Sequence, residues 1–212
     1  MKTTLVLETS TDHGGVALFE GETLRARETF GAGRRHSALL FSVLERLVPR
    51  PGHGLGRIVV GLGPGSYAGV RIAIAAATGL SLATGAELLG LPSLAALAQG
   101  DYIALGDARR GSFYFAIVRE GSGVEPGGPR LVEEAELSAL LARPEWSALP
   151  VFSPDSLPSI PRAQVRHPDA ERLGRLALAG RGITARGQLE PIYLREASIT
   201  LSSKPLPTFP VQ

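Results

Sequence analysis

The spacing of apolar and polar residues near the start of the chain predicts three strands followed by a helix. Apolar runs at 4–7 and 16–19 and the alternating segment 23–30 predict antiparallel strands joined by tight turns. Apolar residues then recur at helical spacing over 37–48, where Ser37 is the predicted N-cap. The chain therefore begins with a small antiparallel sheet and a first helix.

A strand, a glycine-rich turn and a long helix follow in the middle of the chain. The apolar run 58–60 predicts a buried strand, and the turn residues 61–69 come next. The apolar segment 68–83 is too long for a strand and predicts a helix, capped by Ser66 and ended by Gly85. This order places free backbone N–H groups at a helix N-terminus, where an anion can bind.

Both predicted helices carry more apolar surface than one sheet can cover. The second helix holds a single charged residue, Arg71, and is otherwise apolar or small nearly all round. A helix that lies on a sheet needs one apolar face and one polar face. The surplus must be covered by another part of this chain or by another protein.

The pattern of the first half restarts near residue 100. A strand is predicted at 102–105 and its hairpin partner at 112–118. Weaker elements are predicted at 137–142, 151–152 and 169–179. We therefore predict two lobes, a complete one over 1–100 and a reduced one over 101–212 that ends in a proline-rich tail.

Composition restricts the classes of function. The chain of 212 residues has 22 basic and 20 acidic residues, and it has no run of Lys or Arg interleaved with aromatics, so strong direct binding to nucleic acid is not indicated. Zero cysteines exclude disulfides and thiolate catalysis. The first residues lack the apolar core of a signal peptide, and the apolar helix contains glycine and hydroxyl residues. We expect a cytoplasmic protein whose apolar helix is buried in protein.

Five segments of the chain carry a recognisable pattern: LETST at 7–11, RHS at 35–37, GLGPGSYAGVRI at 61–72, DARRG at 107–111 and PIYLR at 191–195. Together they resemble the TsaB (YeaZ) family of tRNA threonylcarbamoyladenosine biosynthesis proteins. They occur in the family's order, and the glycine block is the most specific of them. The resemblance implies an α/β fold of the actin-like, sugar kinase and Hsp70 group (ribonuclease H-like), with two lobes of which the second is reduced.

The resemblance implies a non-catalytic subunit of a tRNA-modifying complex. The family docks onto the paralogue TsaD, which transfers a threonylcarbamoyl group to an adenosine beside the anticodon, and the ATPase TsaE joins them. We therefore expect TsaD-like and TsaE-like partners, with tRNA reached only indirectly through the complex. The alternative is a small-molecule kinase or ATPase that uses the cleft between the lobes.

The resemblance also places the two apolar helices side by side on one face of the first sheet. Covering their outer sides with a like pair from a second chain gives a contact of ordinary size, ~1,600 Å² in total. The candidate interface residues are Leu40, Leu44, Leu47, Ile72, Ala75, Ala76, Gly79, Leu80 and Ala83. The same surface can form a homodimer. Enclosure by the second lobe is the alternative.

A vestigial nucleotide site in the cleft is a further implication of the resemblance. In this fold group a carboxylate at the end of each lobe's first strand faces the phosphates, and Glu8 and Asp107 stand at those positions, although aspartate is usual at the first. The candidate contacts are Glu8, Thr9, Ser10, Gly63, Gly65, Ser66 and Asp107. Turn capping by the hydroxyls, tight turning at the glycines and a local ion pair of Asp107 are the alternatives.

The sequence lacks the usual signatures of catalysis. It has no His-x-x-x-His pair, which the catalytic paralogue uses for its metal, and no Gly-Lys-Ser/Thr of a phosphate loop. Three antiparallel strands before the glycine turn also disfavour a dinucleotide fingerprint. We expect no catalytic residue, no metal and no cofactor beyond weak nucleotide binding.

Overall fold

Two mixed sheets form the framework of the computed structural model, which describes residues 2–31, 36–48, 54–120 and 122–194. The first sheet and its helices are built from β1 (Thr3–Glu8), β2 (His13–Glu20), β3 (Thr23–Gly31), α1 (His36–Leu47), β4 (Leu55–Gly61), α2 (Tyr67–Thr84) and β5 (Glu87–Leu91). A 3₁₀ helix at Ser93–Ala96 leads into the second half. Arg35, Arg195 and the proline-rich tail lie outside the described residues.

The second half supplies a second sheet and two elements that return to the first. Its elements are β6 (Tyr102–Asp107), β7 (Ser112–Arg119), β8 (Gly123–Val124), β9 (Arg130–Glu133), α3 (Glu134–Leu141), α4 (Pro144–Ser147), β10 (Val151–Ser153), β11 (Ala163–Val165), α5 (Ala170–Leu178) and β12 (Ala185–Arg186). The α/β class predicted from the sequence is confirmed.

The two sheets repeat one topology. The first has the order β12-β5-β4-β1-β2-β3, in which β1 pairs antiparallel with β2 and parallel with β4, and β4 pairs parallel with β5. The second has the order β11-β10-β6-β7, continued by β8 and β9, with the same directions. The predicted duplication is confirmed. The second copy is reduced because no helix connects β10 to β11, where α2 connects β4 to β5.

The first sheet is buried on both faces. Alternate residues of β1, Leu5 and Leu7, face α1 and α2, whereas Val6 between them faces α5. Gly174 of α5 permits a close approach, because a Cβ there would lie 2.4 Å from the ring of Phe19. Strands covered on both sides read as continuous apolar runs, as these do.

The predicted division at residue 100 needs a correction. Helix α5 packs on β1, β2 and β4, and β12 pairs with β5, so both complete the first sheet although they come from the second half. The first lobe is therefore discontinuous in sequence. The sequence pattern of a two-residue strand such as β12, or of a short amphipathic helix such as α5, does not indicate which sheet the element joins.

Helix α2 has the predicted ends. The Ser66 hydroxyl accepts a hydrogen bond from the Gly69 backbone N–H at 3.1 Å, and Gly85 ends the helix in the left-handed conformation with φ 73°. The helix links two neighbouring parallel strands and lies along the sheet, in contact with β4, β1 and β5.

Three predicted interface residues belong to the core, which corrects the predicted interface. Leu40 and Leu44 of α1 and Ala76 of α2 are buried against the first sheet. The remaining six divide into half-buried residues at the edge of the core (Leu47, Ile72 and Leu80) and exposed small residues (Ala75, Gly79 and Ala83). Because α2 has small apolar residues on every side, its sequence does not indicate which side packs on the sheet.

Candidate functional site

A cleft of about 540 Å³ lies where strands of both sheets end. Of the seven residues predicted to contact a nucleotide, four line it: Ser10, Gly65, Ser66 and Asp107. Residues of the turn after β10 and of the segment after residue 190 complete the lining. The two sheets repeat one topology, and the ends of their first strands meet at this cleft, which is the position that the family resemblance implied for Glu8 and Asp107.

Asp107 is engaged within its own turn. Its carboxylate accepts the Arg109 backbone N–H at 2.7 Å and pairs with the Arg109 guanidinium at 3.1 Å. Its backbone N–H donates to the Asp155 carboxylate at 3.0 Å. The local ion pair of Asp107, which was one of the two interpretations that the sequence allowed, is present in the structure.

Glu8, Thr9 and Gly63 lie behind the wall of the cleft and do not line it. Glu8 is fully buried, and one of its carboxylate oxygens accepts the Ser10 backbone N–H at 2.7 Å. Its other oxygen, Oε2, has no hydrogen-bond partner among the described residues. Gly61 makes room for it, because a Cβ at Gly61 would lie 1.9 Å from Oε2.

The loop after β1 is tied to the start of α2. The Thr9 hydroxyl donates to the Gly69 carbonyl at 2.8 Å, and the Ser66 backbone N–H donates to the Ser10 carbonyl at 2.6 Å. Gly63 exchanges two hydrogen bonds with Ser93, at 2.9 and 3.0 Å. These predicted site residues therefore hold the glycine turn in place, which is a structural role.

Burial raises the pKa of the Glu8 carboxyl above its usual value, against the opposing effect of the hydrogen bond from the Ser10 backbone N–H. The folded protein then binds a proton more tightly than the unfolded chain does. Stability that depends on this proton is fully present below the unfolded pKa and is lost as the pH rises through the folded pKa.

We expect Glu8→Gln to gain stability over the wild type as the pH rises from 5 to 8, because glutamine keeps the acceptor for Ser10 and carries no charge. Urea denaturation at several pH values measures the free energy of unfolding of the variant and of the wild type. In the difference between the two, the contributions of all other titrating groups cancel. The exposed Glu22→Gln serves as the control. A difference for Glu8→Gln that is independent of pH would show that its carboxyl is not buried as described.

Sequence analysis missed several residues of the cleft. Asp155 follows the short strand β10, which pairs parallel with β6. The ends of both strands therefore lie at the cleft, where Asp155 and Asp107 line it. His13 and His167 stack with ring centroids 3.8 Å apart, and burial lowers the pKa of His167, with a further contribution from His13. The position of Asp155 could have been predicted, because the carboxyl ends of neighbouring parallel strands meet at one edge of a sheet. No sequence pattern indicated that the two histidines would pair.

The described residues hold no group of three or more His, Asp or Glu side chains that could bind a metal ion. The carboxylates nearest the cleft are Asp12, Asp107 and Asp155. A phosphate in this cleft would therefore depend on hydroxyls, backbone N–H groups and Arg109 for its hydrogen bonds.

A second candidate site is the outer surface of α1 and α2, which we call the helical face. Its large exposed side chains include Leu82 and Phe41, which are 84% and 53% exposed. Helix α2 also presents the small exposed residues Ala75, Gly79 and Ala83. Gly79 is open to solvent, since an added Cβ would meet no atom within 4 Å.

The repeated sheets and the cleft at their strand ends define an actin-like, ribonuclease H-like protein. A family model described as TsaD: tRNA N6-adenosine threonylcarbamoyltransferase matches residues 30–135. The chain is 29% identical to tRNA threonylcarbamoyladenosine biosynthesis protein TsaB of Escherichia coli K12, over 90% of this chain and 94% of that protein. It is 32% identical to TsaB of Haemophilus influenzae, over 56% and 55%.

Solved structures agree with these relatives. YeaZ from Pseudomonas aeruginosa superposes with a TM-score of 0.66 and 25% identity, over 91% of this chain and 100% of that one. A P. aeruginosa protein described as similar to peptidase YEAZ gives 0.69 and 27%, over 92% and 100%. This chain belongs to the TsaB (YeaZ) family, so the resemblance seen in the sequence is confirmed.

Proposed function

We propose that this chain is a non-catalytic, cytoplasmic subunit in the biosynthesis of threonylcarbamoyladenosine in tRNA. It docks through the helical face onto a TsaD-like paralogue and holds it in a working state, with a TsaE-like ATPase joining the pair. The observation that carries the proposal is the apolar outer side of α2. Leu82 is 84% exposed, and the small residues Ala75, Gly79 and Ala83 are exposed near it, with Arg71 and Thr78 as exposed polar residues of the same helix.

An apolar helix of this kind needs a covering surface. Monomeric proteins rarely expose contiguous apolar patches beyond a few hundred Å². The paralogue shares the fold according to the family resemblance, so it can present a like pair of helices. The small residues Ala75, Gly79 and Ala83 allow close approach of those helices. A homodimer through the same face is the competing state in the absence of the paralogue.

A lipid bilayer is a poor candidate for that cover. By length and composition α2 is long and apolar enough to cross a membrane, and 28% of its apolar window is buried in the protein. However, α2 lies along β4 and β5, and its first turn is hydrogen-bonded to the loop after β1. A bilayer around α2 would enclose neighbouring loops whose backbone groups lipid cannot satisfy.

Two features of the cleft support a non-catalytic role. Glu8 is sealed beneath the glycine turn, and Asp107 is occupied by Arg109. Buried Glu8 is therefore not available to orient Mg²⁺ and a transferring phosphate, which is the electrostatic work of phosphoryl transfer. Nucleotide binding in this cleft is accordingly weak.

The proposal is tested by reconstitution with purified proteins. We expect the chain to form a complex with a TsaD-like protein in analytical ultracentrifugation. With a threonylcarbamoyl adenylate supplied as the group donor and ATP present, we also expect threonylcarbamoylation of a tRNA transcript, with release of AMP, only when this chain, the TsaD-like protein and the TsaE-like ATPase are all present. Modification at the same rate without this chain would refute the supporting role.

The alternative, a small-molecule kinase or ATPase, is favoured by the cleft of about 540 Å³, a volume typical of ligand pockets. Isothermal titration with ATP and Mg²⁺ and an assay of phosphate release discriminate the two. Tight binding with turnover by the isolated chain would support the enzyme and contradict the subunit proposal.

A further inference from the structure

A second cleft, of about 690 Å³, is bordered by α5, the 3₁₀ helix and the ends of β7 and β11. We call it the arginine cleft, after six lining residues: Arg27, Arg119, Arg166, Arg172, Arg175 and Arg181. They come from five separate segments of the chain. Three carboxylates also line the cleft, so six arginines stand against three acids and leave an excess of three positive charges.

Half of these arginines have carboxylate partners. The pairs are Arg27 with Asp169 and Glu171, Arg175 with Glu171, and Arg119 with Asp101 and Glu125. The other three, Arg166, Arg172 and Arg181, make no ion pair within the part of the chain that the structure describes. The guanidinium groups of Arg172 and Arg181 are therefore available to a ligand, whereas that of Arg166 lies over the Phe152 ring, 5.9 Å from its centroid.

The chemistry of the lining favours phosphate groups. A guanidinium presents a planar fork of N–H donors that matches phosphate oxygens and binds them in pairs. The rest of the lining is mainly aliphatic, including Leu97, Val118 and Val165, and its single ring is that of His167. Without a stacking platform the cleft has little means of recognising a base, so it fits a backbone of phosphates.

We propose that the arginine cleft binds the phosphate backbone of RNA without regard to sequence. The choice of RNA among phosphate-bearing ligands rests on the proposed function in tRNA modification. The proposal differs from the sequence-based expectation of indirect contact with tRNA. The composition argument against strong binding of nucleic acid relied on the absence of basic runs along the chain, whereas the fold assembles these arginines from segments up to 154 positions apart, from Arg27 to Arg181.

The test is fluorescence anisotropy of a labelled, unmodified tRNA transcript with the isolated full chain. We expect a dissociation constant of roughly 1–100 μM at moderate salt, as for non-specific binding. Arg172→Gln with Arg181→Gln should weaken binding about tenfold and lower the slope of log K against log[salt] by about 2, one for each lost phosphate contact. Arg181→Gln alone, at an exposed site after α5, gives half of that slope change if the double variant does not fold.

The matched control is Arg143→Gln with Arg186→Gln, which removes the same charge from exposed sites outside the cleft. We expect it to change binding less than twofold. Equal losses in both double variants would overturn the proposal, because net charge alone would explain them. Displacement of tRNA by micromolar inorganic triphosphate would also overturn it in favour of a small-phosphate site. Binding is measured without the paralogue, so failure of docking and failure of this proposal are separate results.

Discussion

Replacing Gly69 with alanine is expected to destabilise the protein by about 2 kcal/mol. A Cβ at Gly69 would lie 2.1 Å from the Thr9 carbonyl oxygen and 3.1 Å from the Ser66 hydroxyl. Backbone atoms cannot swing away as a side-chain end can, so either the start of α2 or the loop after β1 must move. Overpacking of this kind costs about 1–3 kcal/mol.

The movement would also disturb the hydrogen bond from the Thr9 hydroxyl to the Gly69 carbonyl. Its loss adds about 0.5–1.5 kcal/mol, and the better helix propensity of alanine returns about 1 kcal/mol. The free energy of unfolding, measured by urea denaturation, should therefore fall for Gly69→Ala.

Gly79→Ala is the matched control in the same helix. Its added Cβ meets no atom within 4 Å, so only the helix propensity changes. We expect a gain of up to about 1 kcal/mol. The two identical substitutions should thus have opposite signs. A stabilised Gly69→Ala variant would mean that α2 does not begin against the loop after β1.

Gly79→Arg is expected to weaken docking onto the TsaD-like paralogue about a hundredfold or more, or at least ~2.7 kcal/mol. Gly79 is exposed and an added Cβ there meets no atom within 4 Å, and arginine forms helix better than glycine. In the complex the same charge would be buried against apolar helices, and an unpaired buried charge costs about 3–5 kcal/mol.

The measurement is the dissociation constant of the purified pair, together with thermal unfolding of the free variant. Ala139→Arg, at an exposed position of α3, adds the same charge away from the helical face. It should leave docking unchanged. If Gly79→Arg unfolds normally and still docks as the wild type does, the helical face is not the docking surface.

Local signals predicted much of the fold. The strand, glycine turn and helix around Ser66 were recognisable because capping residues and apolar runs act over a few positions, and the structure has the predicted caps. The repeat was visible because each half begins with a strand and a hairpin return. The returning elements α5 and β12 were not assigned to the first lobe, since their partners lie far away in sequence.

The candidate sites were predicted less completely than the fold. Glu8 was placed at the end of its strand, but its burial depends on the missing side chain of Gly61 on a neighbouring strand. Ala75 and Ala76 were treated alike, although one is exposed and the other packs on the sheet. The arginine cleft has no linear signature at all, because five segments contribute to it.

Because α5 and β12 follow the second sheet along the chain, they affect the order in which the two lobes can fold during synthesis. Val6, Phe19 and Val59 emerge from the ribosome early, yet the helix that shields them spans Ala170–Leu178. Domains usually fold as units, beginning with the N-terminal one as it is translated. Here the first lobe stays unfinished until α5 and β12 have been synthesised, so an expressed fragment that stops after the second sheet should be prone to aggregation.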